Sequence, residues 1–287
     1  MRIALCIEYN GAGFCGWQVQ PGKPTIQRSL EQALARIAGA PVDVVCAGRT
    51  DSGVHALAQI VHFDTTVERP TSAWSKGVNA HLPDSIAVLW AHPVDDDFHA
   101  RFSATGRSYE YVLMNRPVRP AVGAGAIGWF HHRLDLDAMH AAAAHLIGTH
   151  DFSAFRSAEC QARTPVREMR QVRIEREGDI IRFSLEANAF LHHMVRNIVG
   201  SLVYVGKGKH SPDWLAQVLA GRARARAAPT FAPDGLYLAA VGYDARWKLP
   251  TGASGSLAGR AAGQVAGQVA GQVAGRVAGR VAGRAAG

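Results

Sequence analysis

The segment AGRTDSGVHA, residues 47–56, places a carboxylate and a guanidinium in one glycine-rich turn. Its glycines, Gly48 and Gly53, allow backbone conformations that residues with a Cβ resist. We predict that Arg49 keeps Asp51 ionised, because a nearby positive charge favours the charged form of a carboxyl group. Such a carboxylate can act as a nucleophile or as a base. The same composition is typical of an ordinary Asx turn with a surface ion pair, so spacing alone leaves both interpretations open.

Strand-like segments flank this turn. VDVVC precedes it and ALAQIVHF follows it, so Asp51 is predicted to lie at a tight strand-to-strand connection. Upstream, apolar residues at helical spacing predict a helix that begins after Thr25 and ends at Gly39. The other elements predicted in this half are strands at 2–9 and 86–94 and a helix at 72–81.

The second half of the chain repeats this theme of strands and helices. The predicted elements are a strand at 107–114, a helix at 135–147, a hairpin of strands at 171–176 and 180–186, a helix at 189–205 and a short helix from Ser211. This order indicates an α+β protein of two similar α/β units, residues 1–105 and 106–248, with helices on one sheet face and a cleft between the units.

Residues 249–287 differ in composition from the rest of the chain. In the repeat AGQVAGQVAGQVAGRVAGRVAG, glycine recurs every fourth residue and valine is the largest apolar side chain. Such a segment buries too little surface to offset its ordering entropy, so a flexible tail is predicted. The alternative is a marginal helix with a valine stripe, although each glycine costs it about 1 kcal/mol.

Half of the net charge of +8 comes from four arginines in this tail. The remaining charge is moderately basic, and by itself it proves no nucleic-acid partner. Three clusters of basic residues suit phosphate contact, although a solvated face explains them equally well. They lie at 163–176, 207–210 and 222–226.

The sequence lacks the usual signatures of metal, nucleotide and membrane binding. Its four cysteines have no C-x-x-C spacing and are interpreted as reduced thiols of a cytosolic protein. The adjacent pairs His131–His132 and His192–His193 are predicted to bind no metal, because neighbours on a helix point in different directions. We find no apolar run of membrane length, no signal peptide and no phosphate-binding glycine loop.

Six sequence strings together resemble the tRNA pseudouridine synthase A (TruA) family, in that family's order. The turn GRTDSGVHA is one of them. The others are IEYNGAGFCGWQVQP, DFHARFSATGRSYEYVLMN, GTHDFSAF, NAFLHHMVRNIVGSLVYVGKGK and APDGLYL. They span residues 1 to about 245, so the resemblance covers the whole chain except its tail. One short motif would be weak evidence, whereas six in order are strong.

The resemblance implies an enzyme that converts uridine to pseudouridine at positions 38, 39 and 40 of the tRNA anticodon stem-loop, with no metal and no cofactor. It implies that Asp51 is the catalytic nucleophile and that Arg49 orients the site and the flipped nucleotide. Tyr109 would stack on the target base, and Leu191 would pack under it. Arg196, on the apolar side of a predicted helix, needs a partner and would pair with Asp51.

The resemblance also implies that the antiparallel sheets of the two units join into one extended sheet. It further implies a cytoplasmic homodimer in which one tRNA touches both subunits. Ser108 stands where the family commonly has a second basic residue, which predicts weaker RNA contact there. The candidate phosphate contacts along the cleft are Arg2, Lys23, Arg28, Lys76, Arg163, Arg167 and Lys207.

Two other functions compete with this interpretation. An RNA-binding module without catalysis would use the same basic cleft, but it has no need of a buried carboxylate near anionic RNA. An aspartate-nucleophile phosphohydrolase would need further carboxylates for magnesium, and the only dense acidic run is at 95–97. The complete set of Asp51, Arg49, Tyr109 and Arg196 favours the synthase.

Overall fold

A computed structural model describes residues 1–250, which form one ten-stranded sheet with helices packed on it. The strands are β1 (Arg2–Tyr9), β2 (Val45–Cys46), β3 (His55–Asp64), β4 (Ile86–Val94), β5 (Ala104–Asn115), β6 (Gly128–Phe130), β7 (Gly148–Asp151), β8 (Val166–Glu177), β9 (Ile180–Ala187) and β10 (Leu236–Tyr243). The α-helices are α1 (Ile26–Ala38), α2 (Leu136–Ala144), α3 (Met194–Gly206) and α4 (Asp213–Gly221).

The strand order is β4-β1-β3-β10-β5-β9-β8-β7, with β2 beside β3 and β6 beside β5. Neighbouring strands are antiparallel within each half, except β6, which runs parallel to β5. The halves join through β10, which is parallel to β3 and antiparallel to β5. The α+β class and the single extended sheet are confirmed. The junction is therefore parallel on its β3 side only, where the last strand of the described chain enters the middle of the sheet.

Apolar side chains form two large clusters on this sheet. One contains α1 together with β1 and β3, and the other contains α2, α3 and α4 together with β5 and β9. Strand register places Tyr109 beside Leu238, and Tyr111 beside Leu236, on one face of the sheet. Tyr109 contacts both clusters, so it lies where the two halves meet.

Helix α1 matches its prediction closely, but its start is built differently. It ends at Gly39, whose φ of 71° is left-handed and therefore suits glycine. Thr25 has the extended backbone of an N-cap, yet its side chain makes no capping hydrogen bond and its Oγ1 is buried without a partner. The helix predicted at 72–81 is present as a helical segment that contains a π-helical turn, Ala73–Gly77.

The helix predicted at 189–205 begins five residues later than expected, at Met194. Asn188 ends the preceding hairpin, because its side chain accepts hydrogen bonds from the backbone N–H groups of Glu168 and Ala189. His193, just before α3, has a left-handed φ of 63°. The apolar periodicity continued through Leu191 because that residue is buried, not because it is helical.

The predicted tail at 249–287 lies outside the described residues from residue 251 onward. Within residues 1–250, no helix is long and apolar enough to cross a membrane.

Candidate active site

The turn that carries Asp51 connects β2 to β3 and is hydrogen-bonded to the loop after β1. The Trp17 backbone N–H donates a hydrogen bond to the Thr50 carbonyl oxygen at 3.0 Å. Gly16 has a φ of 84°, and a Cβ there would lie 2.8 Å from the same oxygen. Glycine alone tolerates both this conformation and this close approach. The loop therefore fixes the backbone next to Asp51.

Three side chains from the second half of the chain surround the Asp51 carboxylate. Arg196, in the first turn of α3, donates from Nη1 to Oδ2 at 2.9 Å. His192 Nε2 lies 3.2 Å from Oδ1, and His193 Nε2 lies 3.3 Å from Oδ2. The predicted contact between Asp51 and Arg196 is therefore present, across a separation of 145 residues.

The two adjacent histidines face one carboxylate, so the expectation that they point apart was wrong. That expectation assumed a helix, but His192 and His193 precede α3 and His193 is left-handed. Their ring centroids lie 4.1 Å apart. The helical periodicity that would have separated the rings does not apply to them.

These contacts decide the charge of the site. Burial disfavours the ionised form of Asp51, but the hydrogen bond from His192 and the charges of His193 and Arg196 outweigh it and lower the pKa of Asp51. The hydrogen bond with Asp51 raises the pKa of His192. Burial is the main cause that lowers the pKa of His193. The carboxylate is therefore ionised at neutral pH.

Arg49 does not hold Asp51, contrary to prediction. Its side chain is exposed, and within residues 1–250 the ion-pair partners of Asp51 all come from the segment 192–196. Arg107, which the sequence did not single out, supports the turn instead by donating to the Ala47 carbonyl oxygen at 3.1 Å. Its position on β5, two residues before Tyr109, was the only signal that could have found it.

Aromatic and apolar side chains lie beside the turn. Tyr109 packs edge-on against Phe190 at 5.0 Å between ring centroids, and its hydroxyl lies 4.0 Å from where a Cβ on Gly48 would be. Leu191 is buried. Tyr111 shares the sheet face of Tyr109 but is fully buried, and its hydroxyl donates to a backbone carbonyl before β10. Of the two tyrosines, Tyr109 is the one with an accessible side.

The seven candidate phosphate contacts divide into two groups. Arg2 pairs with Asp64 at 2.8 Å, and Arg167 donates to the Thr164 carbonyl oxygen at 2.9 Å, so both stabilise the fold. The remaining five are exposed: Lys23, Arg28, Lys76, Arg163 and Lys207.

Two of the basic clusters meet at the C-terminal end of α3. The Lys209 ammonium lies 4.3 Å from the ring centroid of Tyr204, and His210 stacks on Trp214 at 4.1 Å. These four residues and Arg226 line a groove of about 560 Å³. Cations and flat rings in one groove can contact both phosphates and bases.

Comparison with known proteins assigns this chain to a family. The family model described as tRNA pseudouridine synthase matches residues 5–103 and 142–244. Because this match covers more than half of the chain, the chain belongs to that family. The resemblance drawn from the sequence strings is therefore confirmed.

Individual relatives carry the name tRNA pseudouridine synthase A. The relative from Nitrosomonas eutropha is 58% identical over 251 residues, which cover 88% of this chain and 91% of the relative. The relative from Dechloromonas aromatica is 56% identical, with 87% and 95% covered. The relative from Burkholderia cenocepacia is 58% identical, with 90% and 95% covered. The similarity thus extends over nearly the whole of both chains in each case.

Proposed function

We propose that this protein converts uridine to pseudouridine at positions 38, 39 and 40 of the tRNA anticodon stem-loop, with Asp51 as the nucleophile. The observation that carries the proposal is the contact between the Asp51 carboxylate and Arg196 at 2.9 Å, where the two halves of the sheet meet. Membership of the family supports the reaction and the tRNA substrate. The resemblance of the motifs supports the positions in the stem-loop.

The reaction makes three demands on a site. The bond between uracil N1 and ribose C1′ breaks, a bond from C5 to C1′ forms, and the proton lost from C5 is balanced by one gained at N1, so a reactive carboxylate, a hold on the detached base and exclusion of water are required. Asp51 supplies the carboxylate. Tyr109 supplies a ring on which the base stacks, and Leu191 packs under it. Atoms and electrons balance within the substrate, so no cofactor is needed.

The target uridine lies in a stacked stem and must be extruded before it can reach Asp51. In this proposal Arg49, which is exposed two residues from Asp51, contacts the flipped nucleotide and its phosphate. Both oxygens of Asp51 have partners in this structure, so one must be released for attack. His192 is the partner to move, because its side chain is 35% exposed, whereas Arg196 is 14% exposed and also donates to the Phe231 carbonyl oxygen at 2.8 Å.

Three first steps start from this carboxylate. They are attack on ribose C1′, attack on base C6, and removal of a proton from the ribose. Each requires Asp51 to be ionised, as its lowered pKa provides. The proposal commits to Asp51 as the nucleophile, which favours the two attacks over proton removal and leaves open which of their two bonds forms first.

The groove at the end of α3 extends the contact with RNA. α3 has 13 residues, so the groove lies roughly 20 Å along the helix from the end that holds Arg196. RNA stems are recognised mainly by shape and backbone, which suits an array of separated cations. A cytoplasmic homodimer that presents these surfaces to one tRNA completes the proposal.

The decisive experiment is site-resolved mapping of pseudouridine in a tRNA transcript treated with wild-type protein and with Asp51→Asn. We expect modification at positions 38 to 40 by the wild type, including in EDTA. We expect none by Asp51→Asn, whose tRNA binding stays close to the wild-type level. Asp64→Asn is the matched control, because Asp64 is also paired with an arginine but lies at the far end of β3 from the Asp51 turn.

The outcomes separate the competing functions. Undiminished turnover by Asp51→Asn refutes the assignment of the nucleophile. Tight tRNA binding without modification at any position by the wild type indicates an RNA-binding module. Phosphate release that EDTA abolishes, with no pseudouridine at any position, indicates a metal-dependent hydrolase, although the exposed acidic run at 95–97 is not among the side chains that surround Asp51.

A further inference from the structure

Three metal-ligating side chains converge at Asp51. One carboxylate oxygen of Asp51 and one ring nitrogen from each of His192 and His193 lie within 4.8 Å of one another. Within residues 1–250, no other group of three or more histidine, cysteine and acidic side chains meets this condition. The arrangement is therefore a property of this site and not of histidine-rich surface in general.

The backbone explains why the two imidazoles face the same carboxylate. His193 is held at φ 63° just before α3, so the helical rotation that separates neighbouring side chains is absent. Both Nε2 atoms point at the carboxylate, at 3.2 Å for His192 and 3.3 Å for His193. The side chains are 35% and 28% exposed, so an ion can reach them from solvent.

The separations match those between ligands of one tetrahedral ion. Zinc binds nitrogen and oxygen ligands at about 2.0–2.2 Å, which places neighbouring ligand atoms of a tetrahedron roughly 3.3–3.5 Å apart. His192 Nε2 lies 3.2 Å from Oδ1 and His193 Nε2 lies 3.3 Å from Oδ2, next to this range, and the three ligand atoms lie within 4.8 Å of one another. An ion held through one oxygen of Asp51 therefore requires side-chain rotation that brings both imidazoles to that oxygen.

From this geometry we propose that the free protein binds one divalent transition-metal ion of the zinc class through Asp51, His192 and His193. Three protein ligands leave a fourth position open for water, as in other three-ligand zinc sites. Two imidazoles and one carboxylate select zinc, cobalt, nickel or copper over magnesium, which prefers oxygen ligands.

Arg196 determines how the ion binds. Its guanidinium donates to Oδ2 of Asp51 at 2.9 Å, which leaves Oδ1 as the oxygen available to the metal. Its positive charge also repels the ion. The site is therefore weaker than a closed structural zinc site, in which four ligands surround the ion and no cation lies next to it.

The bound ion blocks the site and does not assist it. It occupies the same carboxylate that the proposed reaction uses, and it restrains His192, which must move to admit the nucleotide. Metal and tRNA therefore compete for the free protein. This inhibition rests on the proposed function, whereas the binding of the metal does not.

The test is direct measurement of binding, with no enzymatic turnover. Zn²⁺ is titrated calorimetrically into untagged, reduced, full-length protein, and Co²⁺ is titrated with its visible absorption as a signature of tetrahedral coordination. The variant is His192→Gln/His193→Gln. The matched control is His131→Gln/His132→Gln, an exposed adjacent pair whose rings lie 4.0 Å apart.

We expect one Zn²⁺ equivalent to disappear in the His192→Gln/His193→Gln variant and to persist in the control. Asp51→Asn should weaken that equivalent at least 10-fold. Saturating tRNA should displace the ion from wild-type protein. An unchanged Zn²⁺ stoichiometry in the His192→Gln/His193→Gln variant would overturn the proposal, as would Co²⁺ spectra that show only octahedral or thiolate coordination. If the metal binds as proposed and tRNA leaves its affinity unchanged, the competition is refuted while the site stands.

Discussion

The contact between Asp51 and Arg196 is expected to couple the two halves of the protein energetically. The perturbation is a double-mutant cycle of Asp51→Asn and Arg196→Gln. Each substitution removes one charge of the pair; Asp51→Asn keeps the shape of the side chain, whereas Arg196→Gln leaves a shorter polar side chain. Arg196→Gln also removes the hydrogen bond to the Phe231 carbonyl oxygen, but that loss occurs in both backgrounds and cancels in the cycle.

The distance and exposure set the magnitude. Two unit charges 2.9 Å apart attract each other by about 6 kcal/mol at an effective dielectric constant of 20, which is an upper limit. The two side chains are only 14% and 18% exposed, so the cost of desolvation offsets much of this attraction. We therefore expect a coupling free energy of about 2 kcal/mol in the stability of the fold.

The assay is equilibrium unfolding in urea of the wild type, both single variants and the double variant. The fluorescence of the six tryptophans follows the transition. Equal slopes of the free energy of unfolding against urea across the four proteins are needed for the comparison. The double variant should be more stable than the sum of the two single effects predicts.

Additive single effects would refute this reasoning. A coupling below about 0.5 kcal/mol is what two independent sites give. In that case the 2.9 Å contact would be a surface ion pair of little energetic weight, and the ionised state of Asp51 would depend on the two histidines alone.

Two further predictions address the backbone of the turn and a buried acid. Gly16→Ala should destabilise the fold by about 2–3 kcal/mol and lower the turnover rate roughly 100-fold, because its Cβ meets the Thr50 carbonyl oxygen and displaces Asp51. Gly22→Ala, at a similar positive φ but in open space, should destabilise the fold by only about 1 kcal/mol and leave turnover unchanged. Equal effects of the two substitutions would contradict this reasoning. Burial raises the pKa of Glu110 from 4.5 to about 7. Because the unfolded chain loses this proton at a lower pH than the folded protein does, the free energy of unfolding falls by about 3 kcal/mol as the pH rises from about 4.5 to about 7. Glu110→Gln should remove that fall in urea titrations at a series of pH values, and identical pH slopes in wild type and variant would contradict it.

The parts of this protein that the sequence predicted well are those set by local patterns. α1 follows from apolar spacing and a terminal glycine, and its observed end at Gly39 agrees. The strand after Asp51, β3, follows from a continuous apolar run, whereas of the strand predicted from VDVVC before it only Val45–Cys46 forms. The tight turn follows from glycines within it, because their conformational freedom is intrinsic.

The parts that failed depend on contacts between distant residues. Arg49 is two residues from Asp51 in the sequence, yet the arginine that pairs with Asp51 is Arg196, 145 residues away. The apolar pattern at 189–193 reflects burial. It does not distinguish a helix from an irregular segment, because either can be buried. The convergence of His192 and His193 depends on one left-handed residue that no periodicity encodes. In this chain, the identity of the site residues could be inferred from motifs, whereas their mutual geometry could not.

The segment that leads into β10 contacts both the central strands of the sheet and the site. The Phe231 carbonyl oxygen in that segment accepts a hydrogen bond from Nε of Arg196, and its backbone N–H donates to the Arg196 carbonyl oxygen at 3.3 Å. From there the chain enters β10, which joins β3 to β5. The guanidinium that helps to ionise Asp51 is thus oriented by the residues that close the gap between the two halves of the sheet. Because Tyr109 lies on β5 beside Leu238 of β10, its ring is positioned by the same junction. The residues that lead into β10 therefore orient Arg196, one of the three side chains that lower the pKa of Asp51, and link the charge of the carboxylate to the junction of the two halves.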